Sequence, residues 1–324
     1  MHVKLWGVRG SLPSPMTPDQ VRERFTALLK DFERFSKANP SMTADVFMEA
    51  FPRQYTGGYG GNTSCAEVTY GSSRLIIDAG SGIRNLSEEL LKLNPQPSEF
   101  HLYFTHFHWD HLIGLPFFVP IYMRGKTVHI YGVQENLEAC IRGMFQKPQF
   151  PVPFEVIQQQ VQFHRVEPRQ PFQVGELTVT PYQLDHPDPC WGARVEAGGK
   201  SLAWAVDSEC TRATSDQLGK DVLLYRNVDV MVFDAQYTFD QAMEKISWGH
   251  SSGPIGIDLA LREGVKQALF IHHDPGATDE MIRAAEQETL RYFEEMMRAR
   301  QNSGLEVSHL RWHFASEGEK IKVG

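Results

Sequence analysis

His101-Leu102-Tyr103-Phe104-Thr105-His106-Phe107-His108-Trp109-Asp110-His111 is the stretch whose reading decides the fold. Residues 101–105 read as a buried strand, and an HxHxDH pattern follows from His106, before a helix that opens near His111. In extended chain, residues two apart project to the same side, so His106 and His108 can reach one metal ion together. Asp110 and His111, past the turn, are left for a second ion. An imidazole and carboxylate set of this kind suits zinc, iron or manganese. Two histidines two apart are unremarkable on a surface strand. Four metal-capable side chains within six positions at a strand end, with Gly114 and Pro116 following, are much harder to obtain by accident.

Working outward, residues 2–12 read as a strand ending in a turn built on Gly7, Gly10 and Pro13. Residues 17–50 read as a helical hairpin, because Val21, Phe25, Leu28, Leu29, Phe32 and Phe35 recur at steps of three and four. The Gly-rich stretch 55–62 leads into a hairpin of strands 64–70 and 74–78 around Gly71, Ser72 and Ser73. Its amides, near Asn62, are candidates to meet an anion, although such turns more often serve only the fold. Further strand-like runs lie at 128–131, 177–182, 192–196, 201–206, 228–233, 268–272 and 310–315. Helix-like runs lie at 83–93, 135–145, 255–262 and 278–300. Hairpins with helices interposed indicate packed mixed sheets covered by helices. No internal repeat and no linker rich in Pro, Gly or Ser interrupts the chain. Residues 1–324 are therefore expected to form one domain, with a helical insertion at about 17–50.

The composition narrows the partners. With 40 acidic against 32 basic residues the formal charge is −8, which speaks against a large nucleic-acid footprint. No run of about 18 apolar residues suggests a membrane span, and the first residues do not form an export leader. Cys65, Cys140, Cys190 and Cys210 are widely spaced and make no CxxC pair, so neither a disulfide framework nor a zinc ribbon is indicated. A soluble cytoplasmic protein is expected.

A series of blocks surrounds the HxHxDH run. Before it come Gly7-Val8-Arg9-Gly10-Ser11, Gly60-Gly61-Asn62-Thr63-Ser64-Cys65 and Leu75-Ile76-Ile77-Asp78-Ala79-Gly80. After it come Asp185-His186-Pro187, Ala205-Val206-Asp207-Ser208, Phe233-Asp234-Ala235-Gln236-Tyr237, Gly249-His250-Ser251-Ser252 and Ile271-His272-His273-Asp274-Pro275. In this order they resemble the metallo-β-lactamase superfamily, in the branch holding tRNase Z and cyclic phosphodiesterases. The resemblance implies an α/β (α+β) fold, an αββα four-layer sandwich of two mixed β-sheets flanked by helices. It implies two divalent metal ions, zinc being expected and manganese or iron the alternatives. His106, His108 and His186 would hold the first; Asp110, His111 and His272 the second; and Asp207 would bridge them. His272 is preferred to His273 because its spacing of 22 residues from His250 matches the tRNase Z-like pattern. His273 would then point away or line the site. Asp78 resembles the carboxylate that orients the HxHxDH loop. His250 resembles the histidine that contacts substrate phosphate or assists the leaving group, with Asp234 orienting it. His250, Asp234 and Asp110 are the expected catalytic residues.

The implied reaction is phosphodiester hydrolysis by a hydroxide shared between the two metals. A small or cyclic phosphodiester, such as a cyclic nucleotide, is the preferred substrate, because residues 146–171 are poor in basic residues and do not resemble a tRNA-gripping arm. A glyoxalase II-like thioesterase or lactonase is the enzymatic alternative, followed by a tRNase Z-like RNA endonuclease and, last, a metal-free binding protein. His108 argues against the diiron reductases, which typically carry glutamate there. Asp207 argues against class B β-lactamases, which usually place a cysteine in their second site. The amphipathic insertion is read as a homodimer contact or as cover for the core.

Overall fold

The computed structural model describes residues 1–51, 53–304 and 308–324. In chain order the strands of the first half are β1 (His2–Gly7), β2 (Cys65–Tyr70), β3 (Ser73–Ile77), β4 (Glu99–Tyr103), β5 (Thr127–Gly132) and β6 (Val161–Arg165). Those of the second are β7 (Phe172–Val174), β8 (Leu177–Gln183), β9 (Trp191–Ala197), β10 (Lys200–Ala205), β11 (Val230–Asp234), β12 (Gln267–Ile271) and β13 (Arg311–Phe314), and β14 (Lys320–Lys322) closes the chain. The helices are α1 (Pro18–Ala38), α2 (Ala44–Ala50), α3 (Arg53–Thr56), α4 (Ile83–Leu91), α5 (Trp109–Leu112), α6 (Leu137–Gly143), α7 (Ser215–Leu218), α8 (Phe239–Glu244), α9 (Gly253–Glu263) and α10 (Asp279–Asn302).

Two seven-stranded sheets result, ordered β14-β1-β2-β3-β4-β5-β6 and β13-β12-β11-β10-β9-β8-β7. In the first, pairing is antiparallel from β14 to β3 and parallel from β3 to β6. In the second it is antiparallel from β7 to β10 and parallel from β10 to β13. The sheets therefore share one plan although the sequence shows no repeat. Apolar residues at alternating positions, among them Val68, Leu75 and Ile77 from one sheet and Val179, Val195 and Val232 from the other, fill the space between them. The outer face of the first sheet is covered by α4 and α6 through Ile83, Leu86, Leu137 and Ile141. The second is covered by α9 and α10 through Ile257, Leu259 and Ile282. This is the expected αββα sandwich.

Three strands escaped the sequence reading. β6 lies inside residues 146–171, to which the sequence assigns no element, and β7 and β14 are three residues each, too short to show a period. The insertion folds as α1 and α2, joined by contacts among Phe32, Phe35, Phe47 and Phe51. It is not cover for the core: α1 buries none of its residues, and Val21, Phe25 and Leu29 are exposed. The Gly-rich stretch likewise serves an internal anion. Gly61 and Asn62 donate their amides to Glu317 Oε2 at 3.2 and 3.1 Å, and the Asn62 side chain donates to Oε1 at 2.7 Å. Among the described residues no helix is long and apolar enough to cross a membrane.

Candidate metal centre

The side chains singled out above meet at one end of the sandwich, where parallel strands release loops from their C-terminal ends. Asp78 follows β3, His106–His111 come after β4, Asp207 after β10 and His272 after β12, while Asp234 is the last residue of β11. Asp78, Asp207 and His272 have φ of 59°, 64° and 66°, a left-handed turn that ends each strand. Glycine gives the packing room at two points. A Cβ on Gly10 would lie 2.6 Å from His272 Cε1, and one on Gly249 would lie 2.2 Å from His186 Nδ1.

The first cluster is His106, His108 and His186, with ligand atoms within 4.8 Å of one another. In each ring one nitrogen is held from outside. His106 Nδ1 lies 3.1 Å from Thr105 Oγ1 and 3.6 Å from Cys190 Sγ. His108 Nε2 lies 2.8 Å from Asp188 Oδ2, and His186 Nδ1 lies 3.0 Å from the Gly249 carbonyl. The remaining nitrogens turn inward: His108 Nδ1 is 3.1 Å from His186 Nε2, and the buried His106 Nε2 has no hydrogen-bond partner.

The second cluster is Asp110, His111, Asp207 and His272, all buried. His111 Nε2 lies 2.9 Å from Asp207 Oδ2 and 3.3 Å from Asp110 Oδ2. His272 Nε2 lies 3.1 Å from Asp110 Oδ2 and 3.3 Å from Asp207 Oδ2. Asp207 Oδ1 lies 4.0 Å from His106 Nε2, so this one carboxylate faces both clusters. Ligand atoms about 2.0–2.2 Å from a common ion are roughly 3.0–3.5 Å apart, which is the spacing seen here. His111 Nε2 and Asp207 Oδ2 nonetheless make no hydrogen bond of acceptable angle. They face a common space more than they face each other.

Charge agrees with geometry. Burial alone would push the His272 ring down, but Asp207, Asp110 and Asp234 outweigh it and push the ring up to about 10. His111 is driven up likewise, Asp207, Asp110 and Asp78 overcoming its burial. His106, where burial dominates and His111 adds to it, is held well below its ordinary value. The clustered carboxylates call for positive charge, and the donor set of imidazole and carboxylate fits a pair of divalent transition ions.

The surrounding groups hold this arrangement. Asp78, fully buried, accepts from the Thr105 amide at 2.9 Å and from the Thr105 hydroxyl at 3.0 Å, and lies 2.8 Å from His111 Nδ1. Asp234 Oδ2 lies 2.8 Å from His250 Nδ1, and its oxygens accept the amides of Asp207, Gln236 and Ser251. The His250 ring sits between those of His186 and His272, at 5.6 and 5.0 Å. His273 points away, to the Ala315 carbonyl at 3.0 Å. Asp188, Cys190 and the Gly249 carbonyl were not found by sequence reasoning. Nothing in the sequence marks their use; Asp188 and Cys190 merely lie within four positions of His186.

The chain matches a family model described as the beta-lactamase superfamily domain over residues 73–273. It is 28% identical over 215 residues to uncharacterized protein Rv1339 of Mycobacterium tuberculosis, covering 64% of this chain and 72% of that one. It is 26% identical over 176 residues to ribonuclease Z of Staphylococcus carnosus, where it spans about half of each protein, 51% and 52%. Among solved structures, the short form of human tRNase Z superposes with a TM-score of 0.61 at 15% identity, covering 100% of both chains.

Proposed function

Since the chain belongs to the metallo-β-lactamase superfamily, we propose that it is a metal-dependent phosphodiesterase acting on a small or cyclic phosphodiester. The observation that supports this reading is the pair of clusters that Asp207 faces together, with His250 held beside both by Asp234. His106, His108 and His186 would hold one divalent ion, Asp110, His111 and His272 the other, and Asp207 both. Zinc is the expected metal. Such ions supply Lewis acidity to a phosphoryl group and bring the pKa of a water ligand toward neutrality.

The chain's own residues supply the rest. With Nδ1 engaged by Asp234, His250 has Nε2 left to hold or give a proton at the departing oxygen, the position that general acid catalysis requires. The Ser11 amide donates to Asp110 Oδ2 at 2.7 Å and fixes that carboxylate toward His111 and His272. Beside His106 and His108 lies a cavity of about 470 Å³, lined by Phe107, Val133, Gln134 and Trp191. That volume suits a small ligand with an apolar portion, and the charge of −8 favours a small substrate over a long RNA.

The resemblance to ribonuclease Z supports a second reading, cleavage of a tRNA precursor. One screen separates the two: metal-loaded protein against bis-p-nitrophenyl phosphate, cyclic nucleotides, a tRNA precursor, thioesters and lactones. Turnover of the small diesters is expected. The variant His250→Ala should lose about 10²–10⁴-fold in rate while retaining its metal. Thioester turnover without diester turnover would overturn the assignment, and tRNA cleavage alone would transfer it to the second reading.

A further inference from the structure

A second cluster of histidines lies at the opposite end of the first sheet. His101 on β4 and His129 on β5 are direct neighbours in the parallel register, so their side chains leave the same face of the sheet. Glu99, two residues before His101, leaves it too. Tyr103 and Tyr131, further along the same face, belong to the core between the sheets. The cluster therefore sits on the inner face, at the mouth of the sandwich remote from the metal centre. His106 follows His101 by five residues, past the end of β4 at Tyr103, a separation of at most roughly 16 Å at about 3.3 Å per extended residue.

The rings are fixed by partners on their outer nitrogens. His101 and His129 stack at 4.7 Å with planes 8° apart. His101 Nδ1 lies 3.0 Å from the Tyr131 hydroxyl, and His129 Nδ1 lies 3.0 Å from His164 Nε2. His164 itself stacks on Tyr131 at 4.7 Å. The other nitrogens are not engaged in the same way. His129 Nε2 is buried without a hydrogen-bond partner, and His101 Nε2 lies 4.0 Å from Glu99 Oε2. A neutral imidazole has one donor and one acceptor nitrogen. If His129 donates from Nδ1 to His164, its buried Nε2 carries a lone pair. The other tautomer would bury an N–H with no acceptor, the costlier arrangement. One ligand atom each from Glu99, His101 and His129 lie within 4.8 Å of one another.

We infer that Glu99, His101 and His129 form a second, separate site for a single divalent transition ion of the zinc class, linking β4 to β5. Two imidazoles and one carboxylate select such an ion over magnesium or calcium, which take oxygen ligands. Tyr131 and His164 are hydrogen-bonded neighbours of the kind metal-binding histidines have; because the two rings lie nearly parallel, joint coordination requires one of them to turn so that both Nε2 atoms converge. The Glu99 side chain is 61% exposed, so the site opens to solvent and exchanges its ion without unfolding.

Equilibrium dialysis of the full-length protein against zinc, with bound metal counted per chain, tests this. The wild type is expected to hold one ion more than either Glu99→Gln or His129→Phe, with hydrolysis at the distant centre unchanged. His129→Phe keeps an aromatic ring in the stack, and its circular dichroism reports whether it folds. If it does not, Glu99→Gln decides alone, because that position lies at the surface. Equal zinc counts for the wild type and Glu99→Gln would overturn the site.

Discussion

Asp78 belongs to neither cluster, yet the first depends on it through Thr105 and the second through His111. Its carboxylate takes the Thr105 amide and hydroxyl and lies 2.8 Å from His111 Nδ1, leaving His111 Nε2 turned to Asp110 and Asp207. Replacing Asp78 by Asn keeps the shape but removes one acceptor from a fully buried position. Zinc affinity should fall by about 10–100-fold, as for other groups that orient a metal-binding histidine. Competition against a chromophoric chelator reads this directly, and an unchanged affinity would remove Asp78 from the role. At this scale the sequence was legible where ligand-capable residues crowd together, as from His106 to His111. It was not legible at Asp188 or at the Gly249 carbonyl. An acid and a backbone oxygen carry no mark of their use until His108 and His186 are brought to them.

Among the elements, the loop that carries His186 is braced by a carboxylate network. Asp221 is buried and accepts from Arg169 Nε and Nη2, both at 2.8 Å, and from Arg212 Nη1 at 2.7 Å. Arg212 also pairs with Asp185, the residue preceding His186. Burial alone would raise the Asp221 carboxyl, but the two guanidinium groups outweigh it and hold it below the usual range. A carboxyl lowered in the folded state contributes stability above its unfolded pKa, and that contribution is lost as pH falls through the folded value. The variant Asp221→Asn should therefore be less stable at neutral pH by on the order of 2–4 kcal/mol, less than a fully buried pair because both arginines are partly exposed. The deficit should shrink in acid. Urea unfolding at pH 7 and near pH 3 measures both, and an equal deficit at the two pH values would refute the network's part. Periodicity had found α1 and α10, long helices whose apolar residues repeat at helical steps and whose first turns are capped by Thr17 and Thr278. It missed β7 and β14 because strands of three residues have no period to show, and their place is set by neighbours far away in the chain.

For the whole molecule, the common plan of the two sheets outweighs their lack of sequence similarity. Asp78 follows β3, the middle strand of one sheet, and Asp207 follows β10, the middle strand of the other, both at left-handed φ. One has come to brace the centre and the other to face its two clusters. The chain passes from the first sheet to the second once, between Arg165 and Phe172, and returns only with β14. His106, His108, Asp110 and His111 lie before that crossing, and His186, Asp207, His250 and His272 after it. Neither cluster can close from one side. A gene severed there would give two inert polypeptides, 1–167 and 168–324, whose reunion is reported by hydrolysis. Co-expressed, they should restore activity only together and only with metal, β14 of the second clasping β1 of the first. Such a pair works as a logical conjunction, silent unless both halves meet.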